Sequence, residues 1–167
     1  ELLLGTELNI MNARGEIDLP DSVLERLDIA IASIHMPCFK DERTIDNVTA
    51  AYEKVMEHPY VDIIGHPDDG RFPVDMKRLV KKAKETGTLL EVNNSSLRPE
   101  GFRENTKENC LEMVKECKAQ GVMIVLGSDS HVDADIAEYP YAEEILRETD
   151  FPEELVANVS MEKLKAC

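Results

Sequence analysis

A short apolar run that ends in a histidine decides the fold: Asp28-Ile29-Ala30-Ile31-Ala32-Ser33-Ile34-His35. The run is nearly continuous in apolar character, which is typical of a strand buried on both faces of a parallel sheet. Four further runs, at residues 2–9, 61–65, 88–92 and 122–127, have the same character. The sequence therefore predicts buried strands at all of these positions.

Amphipathic segments separate these runs. Apolar residues recur there at helical spacing, and one such stripe consists of Ile45, Val48, Tyr52, Val55 and Met56. Two later stripes lie within residues 76–83 and 110–117. Asn105 and Glu108 have the spacing of a capping box that begins a helix. Gly87 and Gly121 stand just before a strand, where helices end.

Strands that alternate with helices predict βαβ units and one parallel sheet. This pattern fits an incomplete TIM-type barrel or an open, doubly wound sheet, and the lack of G-x-G-x-x-G and P-loop motifs disfavours nucleotide-binding open sheets. We expect a hairpin excursion at residues 9–18 and a short sixth strand near residues 157–159. No domain boundary is visible, so residues 1–167 are predicted to form a single domain.

Composition narrows the classes of function. The net charge of −15, without a basic stripe, disfavours binding to nucleic acid. A phosphate ester would need local attraction, such as bound divalent cations. No apolar run reaches the roughly 20 residues that span a bilayer. The chain begins at Glu1 rather than Met and shows no export signal. Its cysteines, Cys38, Cys110, Cys117 and Cys167, form no C-x-x-C pair, which favours reduced thiols and a cytoplasmic protein.

Metal-ligating side chains stand at the ends of several predicted strands. His35, His66 and His131 each follow a strand, Asp129 shares the loop of His131, and Glu7 interrupts the first strand. The carboxyl ends of parallel strands meet at one face of the fold, where active sites assemble. Imidazoles mixed with carboxylates suit zinc, manganese or iron. A buried salt bridge is an equal alternative for Glu7 alone.

Other polar residues on this face allow two interpretations. Asn93 and Asn94 could hold a substrate or form a turn. Any of four loop cations could contact phosphate or be solvated; they are Lys40, Arg71, Arg98 and Arg103. We assign no site role to His58 at a helix end, to the acidic turn Asp68-Asp69, or to Cys38, which we expect to be a buried thiol.

Five motifs in order complete the pattern: Gly5-Thr6-Glu7-Leu8-Asn9, Ile34-His35-Met36-Pro37, Ile64-Gly65-His66-Pro67, Glu91-Val92-Asn93-Asn94-Ser95-Ser96 and Leu126-Gly127-Ser128-Asp129-Ser130-His131. The set resembles the PHP (polymerase and histidinol phosphatase) superfamily, most closely its YcdX-like phosphatases. The resemblance implies a distorted (βα)7, TIM-like barrel with up to three zinc or manganese ions. It also implies metal-dependent hydrolysis of small phosphate monoesters by an activated water.

By this resemblance, Glu7 bridges two metals, and His35 and His66 complete the ligands of one of them. Asp129 binds the second metal and His131 the third. The His-x-His and Asp-His motifs that open the family are absent here, so the resemblance implies that N-terminal βα units are missing. This chain alone could then lack activity, since ligands of the second and third metals would be absent. A barrel without its first strands leaves residues 2–9 with an unpaired edge, which favours either pairing between two copies of the chain or a rearrangement that shields the edge from solvent.

Three alternatives remain open. Histidinol phosphatase shares the superfamily, and no residue distinguishes it. An amidohydrolase-like reaction would use similar ligands. A PHP domain could also be a non-catalytic, metal-binding module.

Overall fold

The computed structural model describes residues 2–165, which form one parallel sheet flanked by helices. The strands are β1 (Gly5–Asn9), β2 (Ile29–Ser33), β3 (Ile63–Ile64), β4 (Leu89–Asn93) and β5 (Ile124–Gly127). Their order in the sheet is β1-β2-β3-β4-β5, and every pair is parallel. A doubly wound sheet would reverse its order. The α/β prediction with parallel strands is therefore confirmed, and the unreversed order is that of an arc of a TIM-like barrel.

The helices lie between and after the strands: α1 (Asp21–Leu24), α2 (Ile45–Val55), α3 (Met76–Thr86), α4 (Thr106–Gln120), α5 (Pro140–Thr149) and α6 (Met161–Lys165). As predicted, Gly87 and Gly121 end α3 and α4 in the left-handed conformation, with φ of 79° and 70°. Within residues 2–165, no helix is both long and apolar enough to cross a membrane.

The two faces of the sheet are covered differently. Leu8, Ala32, Ile64, Leu90 and Ile124 belong to the large core against the helices. The opposite face carries only a small cluster of Ile63, Leu89, Val125 and Ala157, with Leu164 of α6 packed against it. Strand register places Glu7 beside Ile31, and Ile31 beside Ile63, so the Glu7 carboxylate belongs to this second, less covered face.

Edge strand β1 pairs with β2, and no other strand within residues 2–165 flanks it. Pairing between two copies at this edge stays a prediction. The excursion at residues 9–18 is confirmed: Ile10 and Ile17 form an antiparallel bridge, and Gly15 has a φ of 72°.

Two local predictions were wrong. Residues Ala157–Val159 form a 3-10 turn rather than a strand. After the bridge from Val156 to Ile124, the side chain of Asn158, and not its backbone, bonds to the backbone of Leu126 in β5, and the chain then turns into α6. Asn105 does not form a capping box, because its φ of 51° is left-handed and its side chain makes no capping hydrogen bond. Asparagine tolerates this conformation well, so the residue serves the backbone turn into α4.

Candidate metal centre

Three side chains converge at the carboxyl ends of β1, β2 and β3. Glu7 Oε1 lies 3.2 Å from His66 Nε2 and 3.4 Å from His35 Nε2, and the two imidazole nitrogens lie 3.3 Å apart. Within residues 2–165, these are the only side chains with three potential ligand atoms that all lie within 4.8 Å of one another. We call Glu7, His35 and His66 the strand-end cluster.

The ring of His35 is oriented by a chain of hydrogen bonds. Asp18, carried back by the excursion at residues 9–18, accepts a bond from Asn9 Nδ2 at 2.6 Å. A carboxylate only accepts, so the Asn9 amide must turn its oxygen toward His35 Nδ1, 2.8 Å away. Nδ1 therefore donates, and the lone pair of Nε2 faces the cluster. Such an outer partner is the usual way to fix a metal-binding imidazole.

His66 is held through its backbone. Its φ of 32° is unusual for a residue with a side chain, and its N–H donates to Glu91 Oε2 at 2.8 Å. The side chain is only 3% exposed, and Nδ1 has no acceptor among the described residues. His66 Nε2 is thereby aimed at Glu7 and His35 from a rigid, buried position.

The electrostatics of the strand-end cluster fit a bound cation. Contacts with the imidazoles of His35, first, and of His66 hold the pKa of Glu7 well below its usual range, so Glu7 is a carboxylate at neutral pH. Two facing imidazole nitrogens and a carboxylate oxygen form a donor set typical of zinc. The two imidazole nitrogens lie 3.3 Å apart, a separation that either a shared proton or a bound cation between them would explain.

Asp129 and His131 are arranged less tightly than the strand-end cluster. Asp129, with a φ of 49°, accepts bonds from Asn93 Nδ2 at 3.3 Å and from Arg103 at 3.4 Å. His131 is 85% exposed, and its Nδ1 faces the backbone oxygen of Asp129 at 3.1 Å. We call these two residues the loop pair. The structure does not bring His131 into the strand-end cluster.

Sequence reasoning missed the role of Glu91. This side chain is buried in β4, and its carboxylate accepts bonds from the His66 backbone and from Asn93 Nδ2, at 2.8 and 3.2 Å. Burial raises the pKa of Glu91. A Cβ added at Gly127 would overlap Glu91 Oε1, so a glycine on β5 leaves the room that this carboxylate fills. An acidic residue in an otherwise apolar strand was the available signal.

The two predicted substrate-binding asparagines have different surroundings. Asn93 is 2% exposed and stands between Glu91 and Asp129, with its oxygen also accepting from Ser96 N at 2.8 Å. The side-chain oxygen of Asn94 instead accepts from the first backbone N–H groups of α5, at 2.9 and 3.1 Å. Contact of Asn93 or Asn94 with a substrate stays a prediction.

The predicted loop cations are also distributed unevenly. Arg71 pairs with Asp69, and Arg98 pairs with Asp135 at 2.7 Å. Arg103, whose side chain is 8% exposed, reaches Asp129 in the site. The backbone N–H of Lys40 bonds to Met11 in the adjacent excursion.

His58, Asp68 and the cysteines have no predicted site role. His58 bonds to Asp21, away from the cluster. Among residues 2–165 the buried carboxyl of Asp68 has no hydrogen-bond partner, and burial raises its pKa to about 7. The interpretation of Asp68-Asp69 as a simple acidic turn did not predict this burial. Cys110 and Cys117 are buried as predicted, whereas Cys38 is only partly buried because it lies in the turn after His35. Cys167 lies outside the described residues.

The sequence is similar to proteins named probable phosphatases. One from Clostridium novyi is 46% identical over 163 residues, covering 98% of this chain and 66% of the relative. Another from Acetivibrio thermocellus is 42% identical over 162 residues, covering 97% and 66%. One from Thermoanaerobacter sp. is 40% identical over 165 residues, covering 99% and 66%. This chain thus spans about 66% of the length of these relatives. No family model matches the sequence.

A solved structure shares the fold. It is the histidinol phosphate phosphatase from Lactococcus lactis, determined in complex with zinc, L-histidinol and phosphate. The TM-score is 0.54 at 15% sequence identity, and the match covers 79% of this chain and 61% of the other. At that identity the likeness supports the α/β architecture and not the details of the site.

Proposed function

We propose, from the premise that this chain is related in sequence to a family of phosphatases, that it carries part of the active site of a metal-dependent phosphomonoesterase. The observation that carries the proposal is the convergence of Glu7 Oε1 with His35 Nε2 and His66 Nε2 within 3.4 Å of one another. The substrate would be a small phosphorylated molecule.

The strand-end cluster would hold one zinc or manganese ion. Such an ion would supply a Lewis acid that polarises the phosphate ester and lowers the pKa of an attacking water. The protein contributes fixed geometry: Asn9 orients His35 and Glu91 holds the backbone of His66, so the ligands need little rearrangement. Glu7 is the most exposed of the three, with 45% of its side chain accessible, and its second oxygen would be available to bridge to another ion.

The loop pair would contribute to further ions. Asp129 lies beside Asn93 and Arg103, and His131 extends into solvent. The relatives are longer than the part that this chain matches, so we propose that residues outside this chain supply the other ligands of a second and a third ion. On this proposal residues 1–167 form one unit of a larger PHP-type barrel of the YcdX-like kind.

The charge of the site explains how an acidic protein could accept phosphate. The chain has a net charge of −15, which repels anions at long range. Bound divalent ions would reverse the local sign at the strand-end cluster, and Arg103 would add a cation next to Asp129.

The test is hydrolysis of p-nitrophenyl phosphate by this chain extended to the length of its relatives. Activity should vanish after chelation and return with zinc or manganese. Glu7→Gln should lower kcat/KM by on the order of 100-fold or more, because it removes a ligand charge. His58→Ala is the matched control, since it removes a histidine outside the cluster. Undiminished turnover after complete chelation, or wild-type turnover by Glu7→Gln, would contradict the proposal.

A further inference from the structure

A small cavity of about 300 Å³ opens in the loop that joins β4 to α4. Arg98, Arg103 and the two serines Ser95 and Ser96 line it, together with Phe102. None of the strand-end cluster residues and neither member of the loop pair borders this space. The cavity is therefore distinct from the proposed metal centre.

Two arginine donors at this cavity lack acceptors. The Nε–H groups of Arg98 and Arg103 are both shielded from solvent, and neither has a hydrogen-bond partner among the described residues. The Arg103 side chain as a whole is 92% buried, since only 8% of it is exposed. A buried guanidinium donor without an acceptor is costly, and native proteins rarely leave one so. An anion drawn into the cavity could supply this acceptor after a small rotation of the guanidinium groups, since both Nε atoms are shielded as they stand.

The remaining donors of these arginines are partly engaged. Arg98 Nη2 bonds to Asp135 at 2.7 Å, and Arg103 Nη1 bonds to Ser96 Oγ at 2.7 Å. The contacts from Arg103 to Asp129 are long, at 3.4 Å, and Asp129 is also a candidate metal ligand. Glu100 also lines the cavity; it is exposed and bonds to neither arginine. A cation that took the charge of Asp129 would leave Arg103 with more unpaired positive charge.

One guanidinium connects the cavity with the metal centre. Arg103 borders the cavity, and its Nη atoms also reach Asp129 and Asn93. A molecule held beside Asp129 would therefore share this guanidinium with a group that lies in the cavity. The volume of about 300 Å³ is at the lower end for small-molecule sites, so it suits one functional group rather than a large substituent.

We propose that this cavity is an anion subsite, which binds a second carboxylate or phosphate group of the substrate through Arg98 and Arg103. That the bound molecule is a substrate rests on the proposed function. The anion subsite narrows that substrate to a small phosphomonoester with a second anionic group. Planar guanidinium donors suit both oxyanions, which they bind by charge-assisted hydrogen bonds.

The first test is isothermal titration calorimetry on metal-free chain, with inorganic phosphate and succinate as separate probes. Removing the metal ions removes their attraction for anions, so the measured heat of binding reports on the arginines. Saturable binding of at least one probe is expected. Binding of phosphate alone would identify a phosphate subsite, and binding of succinate alone would identify a carboxylate subsite. Binding of both probes would identify a site for oxyanions in general. Absence of saturable binding by either probe would overturn the proposal.

Variants separate the subsite from general charge effects. Arg98→Ala should weaken binding of the active probe about tenfold, as expected for loss of one charge-assisted hydrogen bond. Arg103→Lys keeps the charge but removes Nε and should weaken it similarly. Arg26→Ala is the control, because Arg26 is exposed on the segment after α1 and its loss removes the same charge. Equal affinity of wild-type protein and Arg98→Ala would also overturn the proposal.

A third variant should act in the opposite direction. Asp129→Asn removes the carboxylate that faces Arg103, so it should tighten binding of the probe severalfold in metal-free protein. Circular dichroism of each variant checks that it is folded. This binding needs neither metal nor turnover. An extended chain that is inactive with zinc or manganese but still binds the probe when metal-free would therefore refute the proposed function and leave the anion subsite standing. An active extended chain whose metal-free form binds neither probe would support the proposed function and overturn the anion subsite.

Discussion

The strand-end cluster and the loop pair contain the same types of side chain but differ in how they are held. In the cluster, each of the three ligand atoms lies within 3.4 Å of the other two. In the loop pair, by contrast, the side chain of His131 is 85% exposed to solvent. Cluster residues lie on or directly after three neighbouring strands, so sheet register brings them together. The loop pair depends on a loop that continues into the 3-10 turn Asp133–Asp135. Ligands attached to a sheet are thus assembled by the sheet itself, and ligands in a loop need additional partners.

Replacing one histidine from each group should give the largest contrast. His66→Ala removes a buried ligand of the cluster and should weaken zinc binding by on the order of 100-fold or more, because ligand loss exceeds the effect of losing an outer partner. His131→Ala should change the first zinc affinity less than about threefold, since the structure does not bring it into the cluster. Competition with a chelating indicator measures both.

A large loss of affinity for the first bound zinc ion in His131→Ala would remove the distinction between the strand-end cluster and the loop pair. So would an unchanged affinity in His66→Ala, provided that both variants show the wild-type circular dichroism spectrum.

Replacing Glu91 should give the next largest effect. Glu91→Ala leaves the His66 N–H and Asn93 Nδ2 without their acceptor and should weaken zinc binding about 10- to 100-fold. Glu91→Gln keeps an acceptor of the same shape and should retain most of the affinity. Cys117→Ala, a buried truncation in α4, controls for general loss of stability. If the Cys117→Ala and Glu91→Ala proteins bind zinc equally well, Glu91 does not position His66.

Adding a methyl group at Gly127 should give the smallest effect. In Gly127→Ala the new Cβ would overlap Glu91 Oε1 and stand 2.8 Å from its Cδ, which forces the carboxylate away from His66. We expect a loss of about 1–3 kcal/mol in the free energy of unfolding and a weaker zinc affinity. Urea denaturation measures the first quantity.

Gly87→Ala is the matched comparison for Gly127→Ala. Its Cβ would meet nothing within 4 Å, but the φ of 79° is unfavourable for alanine. It should cost about 1 kcal/mol of stability without any change in zinc affinity. A zinc affinity that fell equally in both variants would show that Gly127 has no specific relation to the metal centre.

The sequence predicted the strand-end cluster well because its determinants are local and periodic. Buried strands are recognisable from apolar runs, and each of His35 and His66 directly follows one. The contribution of Glu91 was not predictable in this way, because it depends on the left-handed backbone of His66 and on the space above Gly127. The prediction of a sixth strand was wrong for a related reason: the side chain of Asn158 bonds to the backbone of Leu126 in β5, which takes the place of strand pairing and is not visible in the local pattern.

The central claim is that Glu7, His35 and His66 bind one metal ion together. Its most direct test is a crystal of this chain soaked in zinc, with an anomalous difference map at the zinc absorption edge. We predict one strong peak about 2.0–2.2 Å from Glu7 Oε1, His35 Nε2 and His66 Nε2. A map with no peak there at saturating zinc, or with its main peak at Asp129 and His131, would contradict the account.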